Sequence, residues 1–563
     1  MMKKLPFLLH QSLYNMEQRV QIINECFSRD KSVTINKNFE LKNQTIEGVI
    51  SVKEEGVELP FIVEIFPAYP RQFHDHETIR FINKELIEFN HVNYDGSICV
   101  HTYHSPDLSE KILFDINSLK VWIRRYYINK EKDEHYEHIV ISDVEVQGVR
   151  SFFLFTDVNY TFSRYEYGVV EYSLLSRNNN DKKSYNTYFI QCFNTRCKKI
   201  CCEWSKAYQH FEKLHAVFIF IEKPPVKFKR FAITNWKELE PFVSVSFLSY
   251  LYKEKRKYEG RENEISYLPV LIGYSIEANK IHWQTVLIKT NDFPVRIQKV
   301  LGTNRRSELF TDKEMNWTQT HNASYEYFFG RGVLHKKLTH QNVLIIGVGA
   351  IGSIVAITLA RGGAKKLTLI DHDIKEAENV CRSEYSFDRG TDSKVNELRN
   401  RLFKISPFVE VQVSEILFDY LKLFNNEIEA MESLMKYLNE FDIIIDCSTD
   451  YDVVSILDKL NLNAEILSLS LTNHARELIC TVNPNIYRWN IEINNQLKRE
   501  NEDLYNPTGC WSPTFKASYN DVNTLVQYAI KQINTCYMND LSVRNFYLST
   551  DFKQGLTIKL NQF

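Results

Sequence analysis

A multidomain α/β protein is what this sequence predicts, on three observations. The 563 residues leave room for three or four domains with sizeable cores. Near the N-terminus a helical stretch leads into short strand-like runs and a turn-rich loop. Far downstream, the uncharged run 343–360 reads as apolar strand, glycine turn and apolar helix. The boundaries drawn from these runs are an α+β domain over 1–145, a linker domain over 146–325 and a nucleotide-binding domain over 326–563.

Composition narrows the function classes. The chain has 69 basic and 71 acidic residues, a near-neutral balance that asks for neither nucleic acid nor a membrane surface. At the start, MMKKLPFLLHQSL has a basic tip, but its apolar run stops at His10, which argues against a signal peptide. The run 343–360 is long enough to raise a membrane span, yet its closely spaced glycines favour strand, turn and helix. The 11 cysteines are odd in number and scattered, which predicts reduced thiols and a cytoplasmic protein.

Taken in order, residues 7–28 have the apolar spacing of a helix. Strand-like NQTIEGVISV and ELPFIVEIF lead to the elbow Pro67-Ala68-Tyr69-Pro70. HETIRFIN follows, then the loop from His91 to Cys99 and a helix around INSLKVWIRRYY. Helix, meander, Tyr-Pro elbow and a cysteine in an extended loop together resemble the ubiquitin-conjugating (UBC) fold. Gly96-Ser97-Ile98-Cys99 matches that family's G-x-[IV]-C. His91-Val92-Asn93 matches its H-P-N with Val for Pro, two residues closer to the cysteine than is usual. The resemblance implies a thioester on Cys99, with Asn93 as the amide donor that steadies the oxyanion. Two other readings stand beside it: Cys99 as a packed core thiol, or a module that only binds a partner. His101 and His104 read as surface residues, since no Cys/His pair sits at zinc spacing.

The middle carries no motif. Strand-like HAVFIFIE, YLPVLIGYSI and IHWQTVLI alternate with polar stretches that read as exposed loops. The segment reads as a linker domain, with a degenerate second adenylation half as the alternative that family analogy alone offers. Cys192, Cys197, Cys201 and Cys202 lack a second matched pair, so they read as buried thiols before a zinc site.

In the last domain, Gly347-x-Gly349-x-x-Gly352 allows backbone amides to approach phosphates at a helix N-terminus. Asp371, 19 residues after Gly352, suits a ribose hydroxyl in a Rossmann-type site. Asp373, Asn379-x-x-Arg382, Lys394 and a strand ending Thr449-Asp450-Tyr451 follow. This order resembles the ThiF/MoeB family and the adenylation domains of ubiquitin-activating enzymes. Ser383 replaces the usual Gln, Tyr451 the usual Asn, and Gly390 to Lys394 is one residue longer than G-x-x-K. The resemblance implies ATP as the nucleotide, held by the glycines, Asp371, Asp373, Asn379, Arg382 and Lys394. It implies Mg²⁺ on a catalytic Asp450, a further arginine for which Arg331 is the candidate, and a homodimer. An acyl-transferring enzyme also needs its own thiol. Cys510, among the turn residues of Asn506-Pro-Thr-Gly509-Cys510-Trp-Ser-Pro513, is that candidate. Cys381, Cys447 and Cys480 read as packing.

A conjugating module ahead of an activating module resembles the fused enzymes of bacterial ubiquitin-like pathways, above all those of type II CBASS anti-phage operons. That resemblance implies activation of a partner's C-terminal carboxylate, that of a CD-NTase, relay through Cys510 and Cys99, and ligation to a target amine. Conjugation of a ubiquitin-like protein is the alternative, as is a ThiF-type activator with a non-catalytic UBC-like module. A third is an NAD-dependent oxidoreductase, which has no use for Cys99 or Asp450.

Overall fold

The computed structural model describes residues 16–71, 78–100, 102–131, 139–141, 145, 148–180, 183–257, 267–277, 280–299, 306–415, 417, 428–498, 516–553 and 555–563. His101 and the candidate thiol Cys510 lie outside these residues. The chain forms two compact units, one of residues 1–144, 163–166 and 219–319, the other of 145–162, 167–218 and 320–563. Residues 146–325, read above as a linker domain, are shared between them.

The first unit begins with helix α1 (Met16–Arg29), which buries Ile23, Cys26 and Phe27. Strands β1 (Val33–Lys42), β2 (Thr45–Glu54), β3 (Val57–Ile65) and β4 (Ile79–Ile82) form an antiparallel meander in that order. Ile46, Ile50, Phe61, Val63 and Phe81 point from it into one core. In β1 only Val33 and Phe39 are buried, so its polar sequence hid it from a pattern reading. Helix α2 (Leu108–Trp122) starts at Asp107, whose side chain accepts from the Glu110 amide, and buries Ile112, Ile116 and Leu119. Where the sequence predicted one continuous helix, the chain widens after Trp122 into a π-helical stretch, Ile123–Ile128.

The Tyr-Pro elbow is tied to both helices. Tyr69 hydroxyl donates to Asp115 at 2.7 Å, and Asp115 also pairs with the buried Lys111. From α1, the Arg19 guanidinium donates to the carbonyls of Phe66, Pro67 and Tyr69.

In the second unit, strand Lys183–Asn194 pairs with Val149–Phe155, Tyr167–Asn180 and Lys199–Cys201. This register corrects the expectation of reduced thiols. Cys192 and Cys201 face each other across two strands, 4.0 Å apart at Cα, and are joined in a disulfide. Cys197 is exposed and Cys202 buried, so the four sulfurs do not converge on a metal site.

The rest of this unit is a three-layer α/β domain. Its strands are β5 (Asn342–Ile346), β6 (Lys366–Ile370), β7 (Glu410–Ser414), β8 (Ile443–Asp446), β9 (Glu465–Thr472), β10 (Glu477–Val482), β11 (Phe546–Asp551) and β12 (Thr557–Gln562). They line up as β7-β6-β5-β8-β9-β10-β11-β12. The first five are parallel and the last three antiparallel. Helices α3 (Ala350–Arg361) and α7 (Tyr519–Met538) pack on one face, with α4 (Lys394–Ile405) beside α3. Helices α5 (Tyr451–Lys459) and α6 (Ile486–Leu497) pack on the other. In this order the strands are added first to one side of β5 and then to the other, which leaves a crevice above the C-terminal ends of β5, β6 and β8. Among the described residues, no helix is long and apolar enough to cross a membrane.

Candidate active site

The nucleotide-binding residues predicted from sequence gather at that crevice. Gly347 follows β5 with φ +76°, and a Cβ there would lie 2.6 Å from Ser448 Cα. At Gly352 a Cβ would lie 2.0 Å from the Gly347 carbonyl oxygen. These two glycines therefore let strand, turn and helix close on one another. Gly349 differs: a Cβ there meets no atom within 4 Å, so open space lies over the N-terminus of α3. That open space at a helix N-terminus suits phosphate.

Asp371 follows β6 directly and ties the turn down. One carboxylate oxygen accepts from the Val348 amide at 2.8 Å, the other from the Asp373 amide at 2.9 Å. Asp373 in turn holds the Lys394 ammonium at 2.7 Å. That hydrogen bond keeps the Asp373 carboxyl below the usual carboxylate range. Asn379 caps the turn 377–382 by accepting from the Glu376 amide, and Arg382 is half-buried at its end.

Asp450 caps α5, its side chain accepting from the Asp452 amide at 2.8 Å, and its own amide donates to Ser448 Oγ. Beneath it Asp446 is fully buried and accepts from the Ser448 and Ser468 hydroxyls; burial pushes its carboxyl above the ordinary range. A cavity of about 320 Å³ opens beside Asp450, lined by Ser468, Asn490, Asn494 and Lys498 among others. Among the described residues, the acid and imidazole groups close enough to share a cation are Asp371, His372 and Asp373. Asp450 stands apart from them as an exposed carboxylate. An exposed carboxylate of this kind suits Mg²⁺, which keeps several waters and takes its other ligands from phosphate.

Two supports were illegible in the sequence. Tyr385 hydroxyl donates to the Val348 carbonyl inside the glycine turn. Lys375 and Glu397 form a buried pair at 2.6 Å behind it. Both join residues that no local pattern links. Arg331 lies exposed in the turn after Phe329. Cys447 and Cys480 are buried as expected, but Cys381 is exposed, because the short turn 377–382 buries none of its residues.

The second candidate centre belongs to the first unit. Two isolated bridges, Ile82 to Ser97 and Val92 to Ile98, shape the loop before Cys99. Gly96 has φ +86°, and a Cβ there would press on the Lys84 backbone at 2.8 Å. The Cys99 amide donates to the His91 carbonyl at 2.7 Å, and its thiol is exposed. It borders a groove of about 420 Å³ lined by His91, Tyr103, Phe114, Asn117, Trp122 and Tyr126 among others. Partial burial against these walls pushes the thiol above the ordinary cysteine range. Asn93 is absent from the lining; its amide donates instead to Ser97 Oγ at 2.9 Å.

Residues 322–470 match the model of the ThiF family. The chain is 25% identical over 276 residues to the ATP-dependent ubiquitin transferase-like protein Cap2 of Enterobacter hormaechei subsp. hoffmannii (strain UCI 50), covering 45% of this chain and 44% of that protein. It is 26% identical over 118 residues to the ubiquitin-like modifier-activating enzyme 5 of Caenorhabditis elegans, covering 21% of this chain and 28% of that one. The match thus spans less than half the length of either relative. The crystal structure of E. coli MccB with ATP overlaps 40% of this chain and 65% of that one at 18% identity, with a TM-score of 0.30, too loose a likeness to carry further argument.

Proposed function

We propose that this chain, whose residues 322–470 belong to the ThiF family, uses ATP to activate the C-terminal carboxylate of a partner protein and joins it to an amine. What carries the reading is the set of groups above β5, β6 and β8. Beside a phosphate cradle stand a buried lysine on Asp373 and a separate carboxylate, Asp450. Hydride transfer to NAD has no use for the last two.

In this reading the partner's carboxylate oxygen attacks the α-phosphorus of ATP, the bond to the β-phosphate oxygen breaks, and pyrophosphate leaves. The glycine turn and the α3 N-terminus hold the phosphates, and Asp371 takes a ribose hydroxyl. Lys394, Arg382 and Asn379 face the charge that builds during attack. Asp450 would hold magnesium, which supplies further charge neutralisation. Cys510 then attacks the acyl carbon and AMP leaves. The Cys99 sulfur takes the acyl group next, returning a thiol at Cys510. Last, a target amine attacks and Cys99 is released as thiol. The N-terminal module serves as a UBC-like domain, and two copies pair through the ThiF domain. The partner in this reading is a CD-NTase, in CBASS anti-phage defence in the cytoplasm; the likeness to a ubiquitin transferase-like protein supports the conjugating chemistry. A ubiquitin-like protein is the alternative partner.

Pyrophosphate exchange into ATP, with Mg²⁺ and the carboxyl-terminal partner, tests the first step. Asn is as good an N-cap as Asp, so Asp450→Asn keeps α5 capped and removes only charge. The expected loss is on the order of 10²-fold in exchange. Full exchange in that variant, or binding of NAD in place of ATP, overturns the assignment.

A further inference from the structure

The loop that delivers Cys99 turns a run of backbone carbonyls inward, and each has a donor. Trp122 Nε1 donates to the Asn90 carbonyl at 2.9 Å, and the Cys99 amide to that of His91. The carbonyls of Ile87, Phe89 and Val92 all accept from one side chain, the guanidinium of Arg230. Arg230 is 4% exposed, and it reaches this loop from 138 residues beyond Val92.

It comes from a small hairpin, Val226–Lys227 against Phe231–Ala232. The hairpin grips the same loop twice more. Phe231 meets the Tyr94 ring edge-on at 5.2 Å, and Lys229 pairs with Glu88 at 3.4 Å. Its own base is braced by Val140, whose amide donates to the Arg230 carbonyl and whose carbonyl accepts from Ala232. All of these residues lie in the first unit.

We propose that Arg230 is the positioning residue for Cys99. Its planar fork fixes three carbonyls whose spacing sets the path of 87–92. Val92 bridges to Ile98, and His91 holds the Cys99 amide, so the clamp is one bridge removed from the thiol. Burial is the cause that shifts the thiol, with no contribution from the guanidinium, so Arg230 acts through the shape of the loop. Part of the motif-free middle thereby acquires a role, since the hairpin braces the acyl-carrying loop. This rests on the reading of Cys99 as an acyl carrier.

The test uses the full chain with Arg230→Gln and Arg230→Lys. Hydrogen exchange should show the Cys99 amide losing protection by about tenfold or more in Arg230→Gln, once the charged clamp is gone. Acylation of Cys99 by the activated partner should slow on the order of 10²-fold, the cost of a misplaced reacting atom. Pyrophosphate exchange, which the second unit carries out in this reading, should stay as in the wild type. Arg230→Lys, with one ammonium for three carbonyls, should fall between, and added guanidinium should restore part of the loss in Arg230→Gln. Should Arg230→Gln prove too unstable to assay, Arg230→Lys decides alone. Wild-type protection and acylation in the variants overturn the clamp. A wild-type chain that forms no Cys99 thioester, in which Arg230→Gln still frees the Cys99 amide, keeps the clamp and sinks the reading of Cys99 instead.

Discussion

Lys394 Nζ lies 2.7 Å from Asp373 Oδ2, with 10% of the lysine side chain exposed against 52% of the aspartate's. The pair thus holds a cation at the mouth of the crevice, with its stem packed and its head aimed outward by an acid. Lys394→Met removes the partner while keeping the stem. The Asp373 carboxyl should then titrate back toward the ordinary carboxylate value, read by NMR. The sign for stability follows from that depression. The pair contributes above the unfolded carboxylate's pKa, and the contribution is lost as pH falls through the depressed one. The stability gap between wild type and Lys394→Met should therefore close in acid. A gap that persists unchanged below the carboxylate range counts against the pair.

Two glycine substitutions should separate folding from binding. Gly352→Ala drives a methyl against the Gly347 carbonyl and should cost about 1–3 kcal/mol of stability. Gly349→Ala meets no neighbour in the fold, so its melting temperature should change little. The same methyl intrudes on the space assigned to phosphate, and ATP affinity should fall by about tenfold or more. Calorimetric binding with thermal melts checks both. Gly349→Ala with undiminished ATP affinity would put the phosphates elsewhere.

The two glycines also mark what a sequence can disclose. The glycine turn, Asp371 and the strand before Asp450 were legible because each is a local device, a turn or a strand end whose residues sit within a few positions of one another. Lys394 was legible only through family order, since its partner Asp373 lies 21 positions away. Tyr385 on the glycine turn, the Lys375–Glu397 pair and Arg230 on the Cys99 loop were not legible, because packing alone brings them together. Strand β1 stayed hidden since two of its ten side chains are buried. The Cys192–Cys201 bond depends on strand register, which the alternation of polar and apolar residues leaves open. Cys381 was misread as packing because the short turn 377–382 that carries it buries none of its residues.

Cys99 should react as a thiol held neutral by its walls. With its pKa raised, little thiolate exists at neutral pH, and alkylation should keep accelerating beyond the ordinary cysteine midpoint. Phe114→Ala opens the groove to water and should bring that midpoint down. The pH dependence of iodoacetamide labelling, read on the Cys99 peptide by mass spectrometry, checks this. A midpoint below that of a free cysteine would mean an activating charge in place of a desolvating wall.

The order of the two thiols is the sharpest consequence of the relay. If adenylate forms first, then a Cys510 thioester, then a Cys99 thioester, each substitution should stop the chain at a different place. Cys510→Ala should leave pyrophosphate exchange intact and abolish both thioesters. Cys99→Ala should let a reducible adduct collect on Cys510 while no target amine is modified. Thioester exchange is nearly isoenergetic, so positioning rather than a fresh chemical driving force governs the handover. The measurement is a non-reducing gel of each variant with partner, ATP and Mg²⁺, with dithiothreitol as control. A wild-type conjugate pattern from Cys99→Ala would make the N-terminal module a binding platform. A Cys99 thioester surviving in Cys510→Ala would move the first thiol elsewhere. Cys381 is then the next to substitute, since it is exposed beside Arg382 and within the motif proposed to bind the nucleotide.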